Sequence, residues 1–146
     1  MIFRKATMSD VPAIVDIAVE SVSQDPLPLT VDRESMAETA KACLGPAHFM
    51  WVAEKDGVVV AAFAACVQKS FWFTRMNCSV LLYYTRVAGA GLPLIREFAK
   101  WVKSRSAIKM AIIELEPNVD ARLVKFFKRV GFARESLNLT YVRSSS

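Results

Sequence analysis

Histidine occurs once in the 146 residues, as His48, and no Cys-x-x-Cys pair is present, so a zinc centre has no ligand set. The cysteines are three, Cys43, Cys66 and Cys78, widely spaced among apolar residues. That odd number and setting read as reduced thiols packed like small hydrophobes rather than as disulfides or metal ligands. A nucleophilic pair between Cys43 or Cys78 and His48 is the alternative, but Ala, Val and Leu around both thiols favour burial. No apolar run reaches the roughly 18 residues of a membrane span. The longest candidate, Gly57 to Val67, is rich in Val and Ala and reads as a buried strand. The opening Met1-Ile2-Phe3-Arg4-Lys5 soon meets Asp10, Asp16 and Glu20, unlike a signal peptide, and the expected location is the cytoplasm. Internal repeats and low-complexity tracts are absent apart from Ser144-Ser145-Ser146, expected to form a flexible tail.

What remains is a well-filled globular composition, 53% hydrophobic and 23% charged. Such a chain is long enough to bury a core as one domain, residues 1–146, without staples. The net charge of +5 suits an anionic partner, whether a phosphorylated cofactor, a nucleic acid or an acidic protein.

Periodicity divides the chain into alternating elements. Residues 2 to 7 read as a short strand. Ser9 is placed to cap a helix over residues 10 to 22, with Val11, Ile14, Val15, Ala18 and Val22 at helical spacing. After Gln24-Asp25-Pro26-Leu27-Pro28 a second helix runs from about Val31 to Leu44 and stops at Gly45. Phe49 to Glu54 and Val58 to Val67 are strands joined by Asp56-Gly57, a strong hairpin signal. A third strand, Cys78 to Thr85, completes an antiparallel meander. A helix from about Leu92 to Ser104, a strand from Ile108 to Glu116, a helix from about Val119 to Val130 and a strand near Leu137 to Arg143 follow. The order β-α-α-β-β-β-α-β-α-β predicts an α/β (α+β) fold with one mixed sheet and helices on both faces. The crossover between Tyr83 and Ile113 favours a parallel, right-handed pair. The meander excludes a pure Rossmann wind.

Arg86-x-x-Gly89-x-Gly91 lies where a strand ends and a helix begins. Glycine there lets the backbone turn tightly, and the following helix offers free N–H groups and the positive end of its dipole, a cradle for pyrophosphate. A strand–helix turn in which glycine merely avoids a clash has the same pattern. Neither the dinucleotide fingerprint nor a P-loop fits, because Leu94 stands where the last glycine belongs and Gly-Lys-Ser/Thr is missing. Arg96, Lys100 and Lys103 form a cationic stripe on that helix, opposite Ile95, Phe98, Ala99 and Val102.

With these motifs in order, the chain resembles the GNAT N-acetyltransferase superfamily over nearly its whole length. Phe3-Arg4-Lys5-Ala6-Thr7-x-x-Asp10 is similar to that family's first strand and helix start, and Asp56-Gly57 to its hairpin. Arg86-Val87-Ala88-Gly89-Ala90-Gly91 is similar to its acetyl-CoA loop, and Phe126-Phe127-Lys128-Arg129-Val130-Gly131-Phe132 to its closing signature. The resemblance implies a V-shaped gap beside the strand that precedes the loop. Pantetheine of acetyl-CoA would bond the backbone of Leu81, Leu82 and Tyr83 there, and pyrophosphate would sit on Arg86, Val87, Ala88, Gly89, Ala90, Gly91 and Leu92, with Phe127 alongside. A neutral amine would attack the thioester directly. No metal is implied. Departures bear on the chemistry: Phe127 occupies the place of a tyrosine general acid and cannot donate a proton. Asp120 replaces a frequent asparagine, and the proline before the loop is missing near Tyr83.

Candidates for the proton transfers are few. Glu114 and Glu116, two apart on the expected strand, share a face and mark where it emerges into the cleft, or are solvated residues near its end. Tyr83, Tyr84 and Tyr141 are the available phenols, and Tyr83 and Tyr84 point to opposite faces. Phe71-Trp72-Phe73 would either line an acceptor pocket or cap the core. Three functions remain: an acetyl-CoA-dependent N-acetyltransferase, a GNAT-like module holding CoA or a protein without turnover, and a basic nucleic-acid binder using Lys125, Lys128 and Arg129. The expected partners are acetyl-CoA and an amine of unidentified class, with no membrane, nucleic acid disfavoured and homodimerisation left open.

Overall fold

The computed structural model describes residues 1–143, so the expected serine tail at 144–146 lies outside the described residues. Five strands, β1 (Ile2–Lys5), β2 (Phe49–Lys55), β3 (Val58–Lys69), β4 (Met76–Thr85) and β5 (Ile108–Ile112), form one sheet in the order β1-β2-β3-β4-β5. The first four are antiparallel neighbours and β5 runs parallel to β4. Four helices cover it: α1 (Val11–Ser23), α2 (Arg33–Cys43), α3 (Gly91–Ser104) and α4 (Ala121–Arg129). None is long and apolar enough to cross a membrane.

Alternation along β3 explains the layering. Ala61, Phe63 and Ala65 point into a core with Leu94, Ile95 and Phe98 of α3 and Phe126 and Phe127 of α4. Ala62 and Ala64 point the other way, into a core with Val11, Ile14, Val15 and Ile17 of α1 and Ala40 and Cys43 of α2. With both faces buried, the strand reads as a continuous apolar run. Small alanines in its centre let helices approach from either side.

Local chemistry fixes the ends. The hairpin Asp56-Gly57 takes φ of 53° and 78°, the paired left-handed conformation of a two-residue turn. Ser9 does not cap α1. It lies inside a 3-10 turn (Met8–Asp10), where Asp10 accepts from the Thr7 amide at 2.8 Å and Arg4 donates to Asp10 at 2.8 and 3.0 Å. Asp32 caps α2 by accepting from the Ser35 amide, and Asp120 caps α4 by accepting from that of Arg122.

Two expected features differ. Regular pairing of β5 ends at Ile112, so Glu114 and Glu116 lie past the strand rather than on it. Residues 137–143 form no strand despite their apolar–polar alternation, and Leu137, Leu139 and Tyr141 are exposed. Alternation specifies a strand only when a partner edge takes up its backbone groups, and in this structure none does.

Candidate functional site

The site is built around the second half of β4. Pairing with β5 covers Met76 to Ser79 and stops at the Ser79–Ile112 pair, so among the described residues β4 runs on from Val80 to Thr85 with no strand on that side. On its other edge the register against β3 slips: Ala64 pairs with Leu82 and Ala65 with Val80, leaving Leu81 as the extra residue of a bulge. A bulge breaks the alternation of faces. Val80 and Tyr83 pack on the α3–α4 side, whereas Leu82 and Tyr84 pack on the α1–α2 side. Bulges sharpen local twist, and here β4 parts from β5 within a residue or two of one.

The strand feeds the glycine turn. The Arg86 amide donates to Val60 O at 2.8 Å, the last tie to β3. Thr85 closes the corner by donating its hydroxyl to Val87 O at 2.6 Å and accepting from the Val87 amide at 3.3 Å. The Val87 N–H is therefore used internally, unlike the free donor expected of it. Among the described residues, no loop or side-chain acceptor takes the N–H groups of Ala88, Gly89, Ala90, Gly91 or Leu92, and α3 has no side-chain N-cap. Those amides, with the helix dipole, form an anion cradle.

The two glycines serve different needs. Gly89 has φ of 86° with open space around it, a backbone requirement. Gly91 has ordinary φ, but a Cβ there would overlap the hydroxyl oxygen of Tyr83. Tyr83 thus lies across the first turn of α3, its ring 5.7 Å from that of Phe63 and 6.2 Å from that of Phe127. Burial pushes the Tyr83 phenol above its usual pKa, so it stays protonated at neutral pH.

The Arg86 side chain reaches toward α1. Its Nε donates to Glu20 of α1 at 2.6 Å, and the Tyr84 hydroxyl donates to the same carboxylate at 3.4 Å. The Tyr84 phenol is raised by loss of solvent and by Glu20, against the lowering influence of Arg86. Glu20 lies 66 residues from Arg86, and no local sequence signal marks the pairing.

The other predicted residues scatter. Phe127 is 2% exposed and packed on Phe132 and Tyr83. Tyr141 is exposed, with the Arg143 guanidinium over its ring. Glu114 and Glu116 are exposed and form no ion pair among the described residues, while the intervening Ile113 and Leu115 pack toward the α3–α4 core. Phe71, Trp72 and Phe73 do not cap the core; they stand exposed on the β3–β4 loop, whose Trp72 and Phe73 amides donate to Ser70 Oγ. The stripe on α3 is a solvated face, with Lys100 beside Glu97 and Arg96 over the Phe126 ring.

On the α1–α2 side, a cavity of about 230 Å³ lies between the two helices and the sheet, and both Leu81 and Leu82 reach it. His48 accepts from the Val67 amide through Nδ1, while Cys43 and Cys78 are buried, with thiols pushed up by desolvation to about 11 and about 12. A Cys–His nucleophile is therefore not assembled.

No protein-family model matches the sequence, and no curated protein matches it. Solved structures do. A predicted acetyltransferase from Clostridium acetobutylicum, solved with acetyl-CoA, is 16% identical, with 97% of this chain and 95% of that one covered and a TM-score of 0.72. A ribosomal-protein-alanine N-acetyltransferase from Brucella melitensis is 22% identical over 90% of this chain and 83% of its own, with a TM-score of 0.71. An aminoglycoside acetyltransferase from an uncultured soil metagenomic sample, in complex with sisomicin, is 12% identical, with coverage of 99% and 96% and a TM-score of 0.68. The parted β4–β5 pair, the glycine turn and this likeness over almost the entire chain agree: the molecule has the GNAT acetyltransferase fold.

Proposed function

We propose that this chain transfers an acetyl group from acetyl-CoA to a primary amine by direct attack. The observation that carries the reading is β4, whose β5-side edge is unpaired beyond Ser79 and which leads into five successive amides that no loop or side-chain acceptor takes among the described residues. An extended pantetheine arm would add to the open edge at Leu81, Leu82 and Tyr83 as a further strand does. Pyrophosphate would sit on the amides from Ala88 to Leu92, with the Tyr83 hydroxyl beside Gly91 as a donor. The amine nitrogen bonds to the thioester carbonyl carbon, the carbon–sulfur bond breaks, and sulfur leaves with the electron pair and gains a proton. The nitrogen loses its proton to a base.

Glu114 and Glu116 are assigned that base role, as exposed carboxylates just past β5, where β4 and β5 have parted. Of the three phenols, Tyr84 is bonded to Glu20, Tyr141 is exposed, and Tyr83 holds its hydroxyl at Gly91, where it serves the pyrophosphate rather than the leaving sulfur. A second reading, a module that holds CoA without turnover, is favoured by Phe127, which carries no hydroxyl in the closing signature.

Calorimetric titration with acetyl-CoA tests binding. Saturable binding is expected, weakened in Gly89→Val, where a β-branched residue cannot hold the required φ. Absence of binding refutes the proposal. Release of free CoA thiol on addition of amines separates turnover from passive binding. Glu114→Gln or Glu116→Gln is expected to lower the rate by about 10²- to 10⁴-fold; full activity in both rejects the assignment.

A further inference from the structure

The bulge that frees the edge of β4 also sends two consecutive side chains, Leu81 and Leu82, to one face, and both line the cavity under α1 and α2. The cavity therefore adjoins the edge to which the thioester arm has been assigned. Its lining is one-sided in character. Of fourteen residues, three carry hydroxyls (Ser21, Ser35 and Thr39), the other eleven are apolar, and none carries a charge. Two carboxylates of the α1 wall are committed elsewhere, Asp16 to Arg33 and Glu20 to Arg86. A polycation would enter a chain of net charge +5 and find no carboxylate lining the cavity, which makes its desolvation unfavourable. A hydrocarbon group gains by the same burial. An apolar cavity of about 150 Å³ holds benzene, so about 230 Å³ accommodates a phenyl ring with part of its linker.

We infer that the acceptor is a primary amine bearing one aliphatic or aromatic group, which fills the cavity between α1, α2 and β4 and leaves the amino group at the Leu81 edge. The inference rests on the acetyl-transfer reading and specifies its substrate class. The test is calorimetric titration of 2-phenylethylamine, ethanolamine and sisomicin into protein saturated with CoA, which permits binding without turnover. 2-Phenylethylamine is expected to bind at least about 10-fold more tightly than either polar amine. Ala18→Phe fills the cavity from α1 and is expected to weaken that binding about 10-fold or more, with CoA affinity unchanged. Leu81→Ser, at a half-exposed position that tolerates change, is expected to weaken it in the same direction. Equal affinity for the three amines, no binding of 2-phenylethylamine, or unchanged affinity in folded variants overturns the inference while acetyl transfer stands. Failure of CoA itself to bind removes acetyl transfer, and this inference with it.

Discussion

Replacing Gly91 by alanine probes how the cofactor turn is held. The new Cβ would overlap the Tyr83 hydroxyl oxygen, with ring carbons Cζ and Cε1 behind it at 3.3 and 3.6 Å. The phenol cannot simply slide away, because Phe63 and Phe127 flank its ring. Overpacking of this kind costs about 1–3 kcal/mol, offset in part by up to about 1 kcal/mol of better helix propensity at the first residue of α3. The net loss is about 1–2 kcal/mol, or roughly 2–8 °C in Tm for a chain of this size. Tyr83→Phe removes the overlapping oxygen and leaves the Cζ contact, tight but tolerable. In the Gly91→Ala background it should therefore restore most of the lost stability. Urea denaturation of the wild type, both single variants and the double variant gives the coupling directly, about 1–2 kcal/mol if the contact is real. A Gly91→Ala protein as stable as wild type, or a double variant whose loss equals the sum of the singles, refutes the packing argument.

Gly89 should behave oppositely. Nothing lies within 4 Å of its added Cβ, so Gly89→Ala costs only the left-handed strain, about 1–2 kcal/mol, and Gly89→Asn less, as thermal unfolding will show. Hydrogen bonds from Arg4 hold the Asp10 carboxyl at about 2, below its ordinary 3.8, with the Thr7 amide assisting against desolvation. A depressed acid stabilises the fold above the unfolded pKa and loses that contribution as pH falls from 3.8 toward about 2. Wild type should therefore lose about 1–2 kcal/mol over that window that Asp10→Asn does not, measured by unfolding as a function of pH. Native alkylation at pH 8 should modify half-buried Cys66 first, with Cys43 and Cys78 reacting only after unfolding, a pattern that peptide mass spectrometry resolves.

Local signals carried most of the fold. Asp56-Gly57 specifies its hairpin because two successive positive φ values demand such residues, and the apolar spacing of α1 and α3 specifies which faces are buried. The glycine turn was legible for a similar reason, since a positive φ at residue 89 leaves little choice. Boundaries slipped where capping was misassigned, as at Ser9, which yields to Thr7 and Asp10. Features that depend on distant pairing left no trace. The bulge at Leu81 is a property of two strands in register, and neither strand alone announces it. The Glu20–Arg86 ion pair and the cavity between α1 and α2 arise only when the helices dock. Residues 137–143 show the converse: a strand pattern without a partner does not make a strand.

The outer side of β5 has its own consequence. Among the described residues no strand pairs with that side, and Met110 and Ile112 show apolar surface beside it. Leu137, Leu139 and Tyr141 meanwhile stand in water on a segment whose alternation suits a sheet. A free edge and an unsatisfied strand sequence on the same polypeptide are complementary by construction. Raising the concentration, or shortening the chain before Leu137, should therefore alter solubility and self-association well before it touches the core.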